Sequence, residues 1–214
     1  MGKLKIVGIS VFATILVVFV AFFVTGLLKP KNAGIGIYSD PASSVFIDGE
    51  QVGRTPYEST GKPGEAVIKM IPDSFEKPLV PFETKIYLVE GVRTVIQRDF
   101  AESEEKSSGV IVSFEKTSGS EISMAVVSIP DGARVFIDGS EKDVTPFKTS
   151  LVLEGEHQLM VQADGYKEKK IKTRAYKGYK LTAVFDLTPT DKVIEEEIEP
   201  SEEEEQQEIV EVEC

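Results

Sequence analysis

The sequence predicts an all-β protein of two tandem small β-sandwich-like domains, preceded by one transmembrane helix and followed by a disordered acidic tail. An uncharged run of 23 residues lies near the amino terminus, at residues 6–28. Behind it, the pentapeptide Val-Phe-Ile-Asp-Gly occurs twice, among short β-branched and aromatic runs that turn residues separate. Residues 191–214 hold 12 acidic residues and one Lys, so they carry −11 of the chain's net charge of −12. The remaining residues are therefore nearly neutral, which argues against nucleic acid as a partner.

The uncharged run is long enough to cross a membrane. A helix needs about 20 apolar residues to span the ~30 Å hydrocarbon layer, and in lipid the backbone must satisfy its own hydrogen bonds. A signal peptide would have a shorter apolar region, about 7–15 residues, and a small-x-small cleavage site, which this sequence does not show. We therefore predict an uncleaved helix at residues 6–28 that contacts membrane lipid, followed by a linker at residues 29–33.

Charge does not set the orientation of this helix. Lys3 and Lys5 precede it, and Lys29 and Lys31 follow it, so the positive-inside rule finds two Lys on each side. Only the short segment of residues 1–5 comes before the helix. We expect that segment in the cytoplasm and the domains on the extracytoplasmic side of a single-pass membrane protein.

The repeated pentapeptide, at residues 45–49 and 135–139, is part of a longer match. A Pro precedes each copy, and Thr-Pro follows each copy after the same five-residue gap. The motif residues are Pro41, Val45, Asp48, Gly49, Thr55 and Pro56 in the first copy, and Pro130, Gly132, Ala133, Val135, Asp138, Gly139, Thr145 and Pro146 in the second. Asp-Gly pairs favour tight hairpins because Gly adopts positive φ without steric cost. We predict structural roles for these residues, in two copies of one β domain at residues 34–117 and 123–188, with a linker at residues 118–122.

Further apolar runs match between the copies and predict more strands. The last strand of each copy is expected at residues 110–114 and 181–185. Short strands at this spacing are typical of compact sandwiches or open barrels.

The second copy resembles the PEGA domain. Its Pro-Asp-Gly-Ala at residues 130–133 precedes the pentapeptide and Thr145-Pro146, and Asp-Gly-Tyr follows at residues 164–166. The first copy has Thr55-Pro56 but reads Pro-Ala-Ser-Ser at residues 41–44, without the Gly and one residue shorter. The resemblance covers residues 34–188. It implies an all-β extracytoplasmic module of bacterial and archaeal surface proteins, associated with surface layers and envelope architecture, with no known catalytic residues.

Side chains that carry chemistry are sparse. His157 is the only histidine; we expect an exposed strand residue, and one His cannot build a two-His metal site. Asp48 and Asp138 lack the further oxygen ligands that calcium requires, and we expect their carboxylates to accept backbone N–H bonds in the turns. Cys214 is the only cysteine, so an intermolecular disulfide is the alternative to a free thiol. We expect no enzyme activity, no cofactor and no metal site.

A cationic stretch runs through the second copy. The candidate surface contacts are Lys169, Lys170, Lys172 and Arg174. This stretch is either a solvated edge that resists unwanted strand pairing or a contact surface for anionic wall polymer, lipid headgroups or the acidic tail. Like-charge blocks repel one another, so we expect the tail at residues 189–214 to be disordered.

These observations predict a membrane-anchored extracytoplasmic β-domain protein with a non-catalytic structural or binding role in the cell envelope or surface layer. Its expected partners are a cell-wall or surface-layer polymer or an envelope protein, in addition to membrane lipid. The alternative is a carbohydrate-binding or protein-binding accessory subunit of a larger membrane complex. The sequence predicts no oligomeric state.

Overall fold

A computed structural model describes residues 15–20, 22, 31–74 and 77–190. Residues 15–20 and 22 are helical, and among the described residues no helix has the length and apolar character that crossing a membrane requires. The chain divides into two compact units, one ending at Asn32 and the other beginning at Ala33.

Several predicted segments fall wholly or largely beyond this range. Most of the predicted anchor at residues 6–28 lies outside the described residues, as do residues 1–5 and the chain from Asp191 to Cys214. Residues 189 and 190, which the prediction assigned to the tail, are described and contact the second repeat. Pro189 bridges Tyr166 in an antiparallel contact, and the Thr190 N–H donates to the Gly165 carbonyl at 2.7 Å.

Fifteen strands make up the β structure of the described residues. The first seven, here called the first repeat, are β1 (Ala33–Asp40), β2 (Ser43–Ile47), β3 (Glu50–Arg54), β4 (Tyr57–Gly61), β5 (Gly64–Pro72), β6 (Phe82–Leu88) and β7 (Arg93–Asp99). Next comes β8 (Ser108–Lys116). The last seven, the second repeat, are β9 (Ser123–Ile129), β10 (Arg134–Ile137), β11 (Ser140–Val144), β12 (Phe147–Thr149), β13 (Gly155–Gln162), β14 (Lys169–Ala175) and β15 (Tyr179–Asp186).

The strands form three sheets whose order is symmetric about β8. Each repeat has its own four-stranded sheet, β3-β2-β5-β6 in the first and β11-β10-β13-β14 in the second. The other seven strands form one sheet, in the order β12-β9-β15-β8-β7-β1-β4. Strand β1 runs parallel to β7, as β9 does to β15, while β8 is antiparallel to both of its neighbours. The two repeats therefore share one continuous sheet, and the predicted all-β fold is confirmed.

Strand β8 supplies side chains to the cores of both repeats. Val110, Val112 and Phe114 are buried in the core of the second repeat. Ile111 packs against the core of the first repeat. Because successive side chains of a strand point to opposite faces, the two four-stranded sheets cover opposite faces of the seven-stranded sheet.

The prediction that residues 110–114 and 181–185 are equivalent last strands is wrong. Parallel pairing to the first strand of the repeat identifies β7 as the counterpart of β15. Strand β8 is an additional strand, inserted between them. The two segments look alike because their alternate residues face the same core, namely Val110, Val112 and Phe114 of β8 and Leu181, Ala183 and Phe185 of β15.

Two reciprocal ion pairs connect the repeats where β7 and β15 end. Arg98 on β7 donates from Nη1 to Asp186 Oδ2 on β15 at 2.5 Å, and its guanidinium lies 4.7 Å from the centroid of the Phe82 ring. On the other side, Lys169 of β14 pairs with Asp99 of β7. Gly109 lies between them, where a Cβ would stand 2.8 Å from the Gln97 carbonyl oxygen. Only glycine leaves room there for the close approach of β7 to β8.

Candidate binding surface

Strand β14 is an edge strand whose side chains alternate between buried and exposed positions. Lys170, Lys172 and Arg174 are exposed, and together they are here called the cationic row. Lys169 is only 7% exposed, and its Nζ donates to the Asp99 carboxylate and to Ser108 Oγ, the latter at 3.1 Å. The prediction of Lys169 as a surface contact is therefore wrong, because every second residue of this strand points inward.

The cationic row has no equivalent in the first repeat. When Gly64 of β5 is superposed on Gly155 of β13, the paired strands β6 and β14 also superpose. The first repeat then has Glu83, Lys85 and Tyr87 at the positions of Lys170, Lys172 and Arg174. Glu83 and Lys85 cancel in charge, whereas the cationic row carries three positive charges. The two copies have therefore diverged in charge at the same place in the fold.

The ion pairs of β6 and β14 also differ between the two repeats. In the first repeat, Lys69 pairs with Glu83 at 3.3 Å, and Lys85 pairs with Glu65 at 2.7 Å. In the second repeat, Lys170 pairs with Glu168 at 2.7 Å, but Lys172 has no ion-pair partner within residues 31–74 and 77–190. The Arg174 guanidinium lies 5.8 Å from the centroid of the Tyr176 ring. At least two cations of the row are thus free to meet an external anion.

A groove of about 720 Å³ opens beside this row, and we call it the β14 groove. It lies where β14 ends the four-stranded sheet and the seven-stranded sheet continues beneath it. Its lining comes from both repeats, with Tyr38, Arg93, Val95 and Gln97 from the first, Phe114 from β8, and Glu156, Ile171, Lys172, Thr173, Arg174 and Tyr176 from the second.

A polar network fixes one wall of the β14 groove. Arg93 Nη1 donates to Glu58 Oε2 at 2.7 Å, and the Tyr38 hydroxyl donates to the other oxygen of the same carboxylate. The hydrogen bond from Tyr38, together with the nearby Arg93 charge, lowers the pKa of Glu58 despite some desolvation. The same bond, with burial, raises the pKa of Tyr38. Near neutral pH the wall therefore presents a neutral phenol, an ionised carboxylate and a guanidinium.

The first repeat has a groove at the corresponding place, with a different lining. This β6 groove, of about 750 Å³, lies beside β6 and over β8 and β15. The pair of strands β9 and β15 superposes on the pair β1 and β7, which places Val184 at the position of Gln97. Val184 lines the β6 groove, and Gln97 lines the β14 groove. Tyr87 replaces Arg174, and Ile111 adds another apolar side chain. One fold thus carries a polar groove in one half and a more apolar groove in the other.

The repeated motif residues form turns and a buried hydrogen-bonded hub. In each hairpin both turn residues have positive φ, 51° and 85° at Asp48-Gly49 and 53° and 77° at Asp138-Gly139. The carboxylate of Asp48 accepts from the Val67 N–H at 2.8 Å, and that of Asp138 accepts from the Gln158 N–H at 2.9 Å. Each Asp therefore holds its turn against the neighbouring strand of the same sheet.

The Thr of each Thr-Pro pair is the centre of the hub. Thr145 Oγ1 accepts from the Ala133 N–H at 3.1 Å and lies 2.6 Å from Ser128 Oγ, which donates to the Pro130 carbonyl. The first repeat has the same arrangement: Thr55 Oγ1 accepts from the Ser43 N–H at 2.8 Å. Four X-Pro peptide bonds in these segments are cis: those before Pro41, Pro56, Pro130 and Pro146.

The family comparison covers the part of the chain that holds β9–β15. Residues 121–189 match the model of the PEGA domain. The second repeat is therefore similar to the PEGA domain, and this matched segment is here called the PEGA domain. No match was found among curated proteins or among solved structures. The matched segment contains the Asp138-Gly139 turn, the hub at Thr145 and the strand that carries the cationic row.

Within the PEGA domain, the expectation of an exposed His157 is wrong. Its side chain is 12% exposed, and Nδ1 lies 2.7 Å from Asp138 Oδ2 while Nε2 lies 2.9 Å from the Leu153 carbonyl oxygen. Burial lowers the pKa of His157, but the hydrogen bonds to Asp138 and Leu153 outweigh burial, so the pKa is raised. The Gln158 N–H, followed by His157, lowers the pKa of Asp138.

Sequence reasoning missed the half of the β14 groove that lies outside the PEGA domain. Tyr38, Arg93 and Gln97 come from β1 and β7, far from Lys172 in sequence, and only the shared sheet brings them together. One signal was available: the first repeat has Glu83 and Tyr87 where the second has Lys170 and Arg174. Residues 31–74 and 77–190 contain no cluster of three or more His, Cys, Asp and Glu side chains suited to a metal.

Proposed function

We propose that the protein is a non-catalytic, membrane-anchored envelope protein that binds an anionic polymer at the cell surface. The observation that carries this proposal is the cationic row on β14. Its three cations lie on one exposed face, and Lys172 has no ion-pair partner among the described residues. Alternate residues of a strand are about 6.6 Å apart, so the row offers regularly spaced charges to an extended polyanion.

Several features support a binding role over a purely solvated edge. A solvated edge needs charge but no particular sign, whereas the corresponding strand of the first repeat balances its charges in cross-strand pairs. Cations that are not satisfied internally attract anions over several ångströms and accelerate their association. The adjoining groove extends this surface into a concave site.

The anchor, the extracytoplasmic location and the second family copy belong to the same proposal. The uncharged run at residues 6–28 supports a membrane helix. The shared strand order and the shared Thr hub support the first repeat as a second PEGA domain. The family resemblance supports an envelope or surface-layer setting for both.

The proposal is tested by co-sedimentation of the purified full chain with anionic envelope polymer. Replacing Lys170 and Lys172 by Gln should greatly weaken retention, and retention of the unmodified chain should fall with rising salt. The matched control replaces Lys69 and Lys85 by Gln, which removes the same charge from the first repeat, and it should leave retention nearly unchanged. Equal loss in both variants, or retention only by solubilised membrane proteins, would contradict polymer binding through this row.

The location is tested separately by adding protease to intact cells. Both repeats should be degraded while a cytoplasmic marker protein stays intact. Protection of the repeats until the cells are lysed would show that the orientation is the reverse.

A further inference from the structure

We infer that the β14 groove is a subsite for an acidic polysaccharide, whose sugar rings pack on Tyr38 and whose carboxylates meet Lys172 and Arg174. This inference rests on the proposed function and names the ligand class for the same surface. It differs from simple polyanion binding because it assigns contacts to uncharged parts of the ligand.

Tyr38 is held as a rigid aromatic platform. Its ring lies against the backbone of β1, since a Cβ built on Gly36 would stand 3.2 Å from Tyr38 Cε2 and from its hydroxyl oxygen. At its far end the hydroxyl donates to Glu58. A side chain fixed at both ends loses little conformational entropy when a ligand packs on it. The flat apolar face of a pyranose ring suits such a platform.

The polar groups of the groove match a ligand with both hydroxyls and carboxylates. Gln97 offers an amide that can donate and accept, and Glu156 offers an acceptor for hydroxyl donors. Lys172 and Arg174 supply charge-assisted donors for carboxylates. A polyphosphate fits this lining less well, because it has no hydroxyl to donate to Glu156.

The β6 groove sharpens the assignment. With Val184 in place of Gln97 and Tyr87 in place of Arg174, the same architecture there lacks the amide and the guanidinium. If this place in the fold only filled space, the two copies would have no reason to differ in both residues. The divergence therefore points to a ligand that only the β14 groove recognises.

The test measures binding of oligogalacturonate to the purified full chain by calorimetry, with a neutral maltooligosaccharide and polyphosphate as comparison ligands. We expect oligogalacturonate to bind and the other two to bind at least tenfold more weakly. The variant Gln97→Val, which copies the β6 groove and removes no charge, should weaken oligogalacturonate binding by roughly tenfold, the value of about one net hydrogen bond to a charged or hydroxyl group. The matched control Lys85→Gln should bind like the unmodified chain.

The outcomes separate this inference from the proposed function. Loss of binding in Gln97→Val, with an unchanged unfolding midpoint, supports the saccharide subsite. Polyphosphate binding as tight as oligogalacturonate, or unchanged binding in Gln97→Val while Lys170 and Lys172 remain essential, would overturn the subsite and leave polyanion binding standing. No binding of any anionic polymer would overturn both.

Discussion

At the scale of single residues, the repeated motif is explained by backbone groups that must be satisfied in buried places. Thr145 is 3% exposed and Ala133 fully buried, so the Ala133 N–H depends on Thr145 Oγ1 for its hydrogen bond. The first repeat keeps the bond although Ser43 replaces Ala133 and its loop is one residue shorter. Selection for this hub explains why Thr-Pro follows the pentapeptide at the same distance in both copies.

Replacing Thr145 by Val should destabilise the protein by about 1–3 kcal/mol. The new side chain has nearly the same shape but leaves a buried N–H without an acceptor, which costs about that much. The measurement is chemical denaturation of the purified protein. The matched control is Thr60→Val, an exposed position on β4, where a change within about 0.5 kcal/mol is expected. Equal effects at the two positions would show that the hub is not what stabilises the turn.

The contacts of His157 with Asp138 and Leu153, here called the His157 clamp, make the stability of the second repeat depend on pH. Its ring nitrogens face two acceptors, so the doubly protonated form is favoured and the folded-state pKa lies above the ordinary value of 6.5. A raised pKa contributes stability that is fully present below 6.5 and is lost as the pH rises through the folded-state pKa. We therefore expect the contribution of His157 to the free energy of unfolding to decrease as the pH rises above 6.5.

The only histidine of the chain gives this prediction a direct readout by NMR titration. The ring resonances of His157 should titrate above pH 6.5 in the unmodified chain and at lower pH in Asp138→Asn. The amide oxygen of Asn can still accept the Gln158 N–H, so the turn is kept while the negative charge is removed. A titration at or below 6.5 in the unmodified chain would exclude the clamp.

At the scale of strands, the sequence predicts hairpins formed by neighbouring strands, but it does not predict pairing between strands that are far apart in the chain. The alternation and the Asp-Gly turns predicted the hairpins β2–β3 and β10–β11, because a two-residue turn fixes its own register. The role of β8 could not be predicted, because its partners β7 and β15 are chosen by packing against two cores. The buried face of β14 could have been predicted from the sequence. Ile171 is its one large apolar residue, and Lys169 lies two residues away and therefore on the same face.

The pair of Lys169 and Asp99 connects β14 with β7, and its two members should not contribute equally. Asp99 has a side chain that is 49% exposed, whereas that of Lys169 is 8% exposed. Removing Lys169 leaves a carboxylate that water can solvate, while removing Asp99 leaves a buried ammonium without its partner. We expect a loss of about 2 kcal/mol for Asp99→Ala and of under about 1 kcal/mol for Lys169→Met, by denaturation.

Lys170→Met is the control for this pair, because Lys170 is exposed and its pair with Glu168 lies in solvent. Its effect should be close to zero. If Lys169→Met destabilised the protein as much as Asp99→Ala, the unequal burial of the two side chains would not determine how much each contributes to stability.

At the scale of the whole molecule, the shared sheet implies that the two repeats fold as one unit. Strand β8 buries Val110, Val112 and Phe114 in the core of the second repeat, and it pairs along the length of β15. Each such side chain contributes about 1.5–3 kcal/mol when fully buried. Their sum is comparable with the total stability of a typical domain, about 5–15 kcal/mol. We therefore expect the folding of the second repeat to depend on β8, which lies outside residues 121–189.

Three fragments test this dependence. Residues 121–190 alone should be unfolded or only marginally stable, residues 104–190 should regain cooperative folding by including β8, and residues 33–190 should be the most stable. Denaturation followed by hydrogen exchange should show β5 and β13 unfolding together in the longest fragment, and Val112→Ala should shift both strands although the residue lies in only one core. If residues 121–190 unfolded at the same denaturant concentration as residues 33–190, the repeats would be independent domains.

The β14 groove, which takes Tyr38 and Gln97 from the other repeat, would then depend on contacts between the repeats that can open while each repeat stays folded. A single transition instead means that the groove is as rigid as the sheet beneath it, because the same strands hold both of its walls.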